Sequence, residues 1–173
     1  SDVSGTLLDI STTGSSAGDV LVSDGAGSSS WASPGGAIFG SAYFTGNTVA
    51  TTISTLGVDV LVDPGVWATT VTDTIVFDTN KFTVPSDGIY ELSTCVSFSG
   101  GGGGAGNIYK FSFAKNGTAI ATSPKLRRQT GSSDVGSGSR STYQQLAAGD
   151  EITVVVQNEA ATNNPTISEA SFT

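Results

Sequence analysis

The sequence predicts an all-β sandwich, and three observations predict it. Apolar residues recur with period two in several runs, turn-forming residues separate those runs at short spacing, and no window shows helical periodicity. Composition agrees: only 13% of residues are charged, 23 are glycine and none is methionine. Serine and threonine fill the surface that charged helix formers would otherwise occupy.

The alternation carries the strands. Tyr90, Leu92, Thr94, Val96 and Phe98 alternate with Ile89, Glu91, Ser93, Cys95 and Ser97. Successive side chains on a strand point to opposite faces, so the even set is the core face and the odd set looks outward. Tyr109, Phe111 and Phe113 form a second such set, and Ile152, Val154 and Val156 a third. Val71, Asp73, Ile75 and Phe77 make a weaker one. Turn signals fall between them at Asp63-Pro64-Gly65, Pro85-Ser86-Asp87-Gly88, Asn116-Gly117, Ala148-Gly149-Asp150 and Asn164-Pro165. Asn116-Gly117 suits a type I′ hairpin because both residues tolerate positive φ. Gly88 is expected at positive φ as well. The spacing implies about eight strands. The glycine run Gly100–Gly104 is read as a loop inside one domain, since each flank alone is too small to bury two sheet faces. No Lys-Ser/Thr pair follows it, which excludes a phosphate-cradling loop.

Residues 1–36 differ from residues 37–173, and two regions follow: an extended N-terminal arm and a β domain. The arm holds apolar islands, Leu7, Leu8 and Ile10, then Val20, Leu21 and Val22, with Trp31 beyond them, all set in Gly and Ser. Too few neighbours surround them for a core, so they form either a disordered tail or an anchor ordered by a partner, and the turn-spaced islands favour the anchor.

Charge and residue inventory narrow the function. A net charge of −8 argues against nucleic acid and anionic membrane surfaces. No apolar run is long enough for a spanning helix, and "SDVSGTLLDI" lacks the pattern of a signal peptide and reads as a mature end. With no histidine and one cysteine, the common zinc sites, the Ser-His-Asp triad and any intrachain disulfide are unavailable. Asp150-Glu151 and Asp59/Asp63 are candidates for paired carboxylates, but they read as turn and surface acids. Cys95 reads as a small packed side chain, for no base is near it in sequence. Lys125, Arg127, Arg128 and Arg140 concentrate in "PKLRRQTGSSDVGSGSR", a loop that either is simply solvated or receives an anionic glycan or acidic neighbour. Asn116-Gly117-Thr118 fits a glycosylation sequon and also a plain hairpin turn. No enzyme, cofactor or metal is expected.

"NKFTVPSDGIYELSTCVSF" resembles the central motif of the C1q/TNF-like jelly-roll superfamily. "YKFSFAKNGTAIA" resembles its next hairpin, "YQQLAAGDEITVVVQN" its Leu-x-x-Gly-Asp strand start, and "TISEASFT" its closing strand; "AIFGSAYFTGN" fits the opening strand less well. The resemblance covers residues 38–173 and implies a jelly roll built as a homotrimer, one sheet of each subunit facing the threefold axis. It would place Ile89, Glu91, Ser93 and Cys95 at the trimer interface. "SAGDVLVSDGAGSSSWAS" is similar to a short element of bacteriophage tail-fibre proteins. Together these imply a non-enzymatic phage or virus structural protein on the virion surface: a trimeric capsid decoration or short head fibre, attached through its arm to capsid or tail proteins. A carbohydrate-binding adhesin recognising a host-surface glycan and a C1q/TNF-like extracellular ligand are the alternatives.

Overall fold

The computed structural model describes residues 19–23, 29–32, 38–63, 67–73, 75–101, 106–129 and 134–173. The chain divides into two units, Ser1–Ala37 and Ile38–Thr173. In the first, β1 (Val20–Ser23) pairs antiparallel with β2 (Ser29–Ala32), and Leu21 lies opposite Trp31. Directly opposed residues share a face, so Leu21 and Trp31 occupy one side of the ribbon and Val20 and Val22 the other. A two-stranded ribbon is marginal by itself.

The second unit is a sandwich of two antiparallel sheets, with no helix among the described residues. Its strands are β3 (Phe39–Phe44), β4 (Val60–Leu61), β5 (Ala68–Asp73), β6 (Val76–Asp78), β7 (Lys81–Thr83) and β8 (Gly88–Gly100). Then come β9 (Asn107–Lys115), β10 (Thr118–Ala119), β11 (Lys125–Gln129), β12 (Val135–Leu146), β13 (Glu151–Asn158) and β14 (Pro165–Phe172). One sheet has the order β12-β8-β14-β3-β5; the other runs β10-β9-β13-β7-β6, with β11 also paired to β9 and β4 to β13. From β7 onward the chain crosses between sheets at β7–β8, β8–β9, β11–β12, β12–β13 and β13–β14, the winding of a jelly roll.

The core lies where the inner faces meet. Phe44, Phe98, Tyr109, Phe111, Phe113, Ile152, Val154, Val156 and Phe172 are buried there, so the even face of β8 and the odd face of β9 point inward as the alternation requires. The rings interlock at their edges: Phe44–Trp67 at 4.7 Å, Phe82–Phe172 at 4.8 Å and Phe98–Phe111 at 4.9 Å. Such pairs add roughly 0.5–1.5 kcal/mol each beyond burial. Asn116 (φ 51°) and Gly117 (φ 80°) turn β9 into β10, as the type I′ signature requires.

Several expectations change. The described residues of the second unit hold twelve strands rather than about eight. The weak set at residues 71–77 is two strands, β5 and β6, which belong to opposite sheets. Residues 125–141 are not a loop: β11 and the long β12 occupy most of that stretch. Gly88 does not adopt positive φ; it opens β8, where a Cβ would make only ordinary contact with the Tyr90 ring. Cys95 is exposed, not packed. Asp150 is buried and tethers two turns, as described below. The glycine run joins β8 to β9 within one unit, so it is not an interdomain linker.

Candidate self-association face

The outward face of the sheet β12-β8-β14-β3-β5 carries the residues singled out on β8. Strand β8 is long, and its even side chains are fixed in the core, so Ile89, Glu91, Ser93 and Cys95 project the other way. Ile89 is 73% exposed. Opposite β8, each odd residue of β12 shares this face: Tyr143 pairs with Glu91, Ser141 with Ser93 and Ser139 with Cys95. On the other side of β8, Ser171 lies opposite Cys95, and Tyr43 lies opposite Ser171. One row of the sheet therefore reads Ser139, Cys95, Ser171, Tyr43.

Polar groups on this face pair across strands. The Tyr143 hydroxyl donates to Glu91 Oε2 at 3.4 Å, and Ser141 Oγ donates to Ser93 Oγ at 3.1 Å. The charged groups among its described side chains are Glu91 and Glu169. Around them stand exposed apolar side chains, Ile89, Tyr143 (70%), Phe39 and Tyr43. Tyr43, Cys95, Ser97, Glu169 and Ser171 border an open depression of ≈ 220 Å³. The face is thus built mainly of serines and studded with aromatic and aliphatic groups that this chain leaves in water. All four interface candidates share it. Tyr143, Tyr43 and Phe39 join them and were missed, because β12 has too much Gly and Ser to show alternation until β8 supplies its register.

The basic residues do not converge. Lys125 lies over the Phe111 ring at 5.7 Å and donates to the Gly138 carbonyl at 2.7 Å, closing the gap between β11 and β12. Burial pulls its ammonium down to about 8, an effect partly offset by Cys95. Arg127 reaches Asp134 at 3.8 Å, and Arg140 donates to the Thr122 carbonyl at 2.8 Å. Gly136 accommodates the Arg127 stem and the Phe98 ring: a Cβ there would meet Phe98 Cζ at 3.0 Å and Arg127 Cγ at 3.3 Å. Arg128 points to the opposite side of β11 from Arg127, as strand neighbours do. The four cations are therefore divided between clasping the sheet edges and facing solvent.

Of the anchor residues, Val20, Leu21 and Val22 are exposed on β1 and Trp31 is half-buried on β2. Leu7, Leu8 and Ile10 lie outside the described residues.

Of the candidate carboxylates, Asp150 holds turns. Asp150 accepts from Asn116 Nδ2 at 2.7 Å and from the Ala147 N–H at 2.8 Å, and it meets Lys115 Nζ at 2.8 Å. The Lys115 contact, then the Ala147 and Asn116 hydrogen bonds, hold its carboxyl down at about 2. Glu151 pairs with Lys81 at 2.6 Å. Among the described residues, no three His, Cys, Asp or Glu side chains converge.

The strand order defines the class, a jelly-roll β-sandwich. No family model matches the sequence, and no curated protein does. Among solved structures, the chain is similar to Eiger TNF from S. frugiperda, at 16% identity and a TM-score of 0.47 over 79% of this chain and 92% of that one. It is also similar to murine APRIL, at 18% identity and a TM-score of 0.48 over 77% of this chain and 96% of that one.

Proposed function

We propose that the chain is a non-enzymatic structural protein of a phage or virus particle, in which residues 38–173 form a homotrimeric knob and residues 1–36 attach it to capsid or tail proteins. The observation that carries the assembly is the outward face of β12-β8-β14-β3-β5. Ile89, Tyr143, Tyr43 and Phe39 stand there among serines small enough to let a second sheet approach closely. Threefold pairing about that face removes these groups from water, at roughly 25 cal/mol per Å² of apolar surface covered. The resemblance of residues 16–33 to a tail-fibre element supports the particle setting and a place on the virion surface. Attachment through three arms supplies avidity without new contacts.

Sedimentation of the purified chain tests the assembly. A trimer is expected, and Ile89→Asp with Tyr143→Asp is expected to give a folded monomer. A wild-type mass of one subunit refutes the trimer. Deletion of residues 1–36 is expected to leave the trimer intact and abolish decoration of particles. Normal decoration by the truncated protein refutes the arm's role and reopens the extracellular-ligand reading. The glycan-binding alternative rests on Lys125, Arg127, Arg128 and Arg140, of which the three arginines are exposed, and a silent glycan array with the intact chain removes it.

A further inference from the structure

The outer side of the other sheet holds a lysine, a carboxamide and a carboxylate in mutual contact. Lys110 on β9 and Gln157 on β13 are directly opposed across the antiparallel ladder, so their side chains leave the sheet on the same side. Gln157 is buried and Lys110 half-buried. With the Gln157 carboxamide turned so that its nitrogen faces the Gly57 carbonyl, its oxygen faces Lys110 Nζ. Glu159 Oε1 lies 3.4 Å from Lys110 Nζ and 3.5 Å from the same carboxamide atom. The loop that carries Gly57 is pinned above the site by the Gly57 N–H, which donates to the Asn158 carbonyl at 3.0 Å.

We propose that Lys110 and Gln157 join in an intramolecular isopeptide bond, with Glu159 as the proton carrier. Glu159 takes a proton from the Lys110 ammonium, and the freed amine attacks Gln157 Cδ. The protonated Glu159 polarises the carboxamide oxygen and then passes its proton to the departing nitrogen. The Nζ–Cδ bond forms and the Cδ–Nε2 bond breaks. Ammonia leaves, taking up the remaining proton as ammonium, and Glu159 returns to its carboxylate. No oxidant or reductant enters. Proximity favours the step, since the ladder holds amine and carboxamide together throughout the folded lifetime. The product is a covalent staple between two adjacent strands of a chain whose single cysteine permits no intrachain disulfide. It is independent of trimer formation.

Intact-mass measurement of the folded full chain tests it, followed by digestion and peptide sequencing. The expected mass is one ammonia below that of the sequence, with a branched peptide joining Lys110 to Gln157. Lys110→Arg and Glu159→Gln are each expected to restore the full sequence mass while the circular dichroism spectrum stays unchanged. A wild-type chain at full sequence mass overturns the proposal whatever the variants do. A deficit that persists in Lys110→Arg, without a branched peptide, also overturns it, because a succinimide at Asn116-Gly117 loses ammonia too.

Discussion

Gly40 on β3 faces Phe82 of the opposite sheet, and Gly40→Ala measures how tightly the sheets are packed there. A Cβ there would lie 2.5 Å from Ile75 Cγ2 and 2.7 Å from Phe82 Cε1, with Phe82 fully in the core. Ordinary carbon contacts are about 3.5–4.0 Å, so both neighbours must retreat by roughly 1 Å. Overpacking of this kind costs about 1–3 kcal/mol. Replacing a strand glycine by alanine returns roughly 0.5–1 kcal/mol by stiffening the unfolded chain. The clash wins, leaving a net loss of about 1–2 kcal/mol and a Tm lower by roughly 3–8 °C for a domain of this size. Urea denaturation followed by fluorescence gives the free energy. The double-mutant cycle with Ile75→Ala assigns it, since removal of Cγ2 is expected to reduce the Gly40→Ala cost by at least about 0.5 kcal/mol. An alanine variant as stable as wild type, or a cycle with no coupling, refutes the packing account.

Three further outcomes are expected. Asp150 has a folded pKa of about 2, below its unfolded value, so its contribution to stability is present above about pH 4 and is lost as pH falls toward 2. Asp150→Asn should flatten that acid limb, and an unchanged limb in acid titration would contradict the turn-tethering role. For Lys125 the charged form is penalised rather than favoured: its folded value of about 8 means that stability should rise between about pH 8 and the unfolded value near 10.4. Lys125→Met should remove the rise, and its survival would place the cause elsewhere. Cys95, exposed on the outward face, should alkylate freely in the Ile89→Asp, Tyr143→Asp monomer and at least about tenfold more slowly in wild type. Equal rates would show that the face stays open.

The parts of the fold legible in the sequence are those in which burial acts on one face only. Strands β8, β9 and β13 each set aromatic or branched side chains against polar ones, and the structure keeps that division for Leu92, Phe98, Phe111 and Ile152. What stayed hidden depends on long-range pairing. Strand β12, with its glycines and serines, owes its length to the twelve-residue ladder with β8 rather than to its own propensity. The break between β5 and β6 reflects a change of sheet, which no local periodicity encodes. Asp150 reads as a surface acid because its partners, Lys115 and Asn116, come from another turn. Gln129 is likewise fully buried, reaching the Phe98 carbonyl of β8 at 3.5 Å besides the nearby Asp134 carbonyl at 2.8 Å. The candidate face was half legible: β8 showed its outward residues, whereas Tyr43 and Tyr143 are brought alongside only by the sheet.

The position of β14 governs how this chain must fold. It is the last strand in sequence, yet it lies between β8 and β3, pairing Phe172 with Thr94 on one side and with Ala42 on the other. Until it inserts, β8 and β3 each present an unpaired edge, and among the described residues no earlier strand fills the slot between them. Such closure rests on contacts between distant parts of the chain, which places folding in the slow, millisecond-to-second class of β proteins. A chain still being synthesised would hold two open edges of the kind that recruit stray strands. Its vulnerability to aggregation is therefore concentrated before β14 inserts, and that strand acts as the latch that ends it.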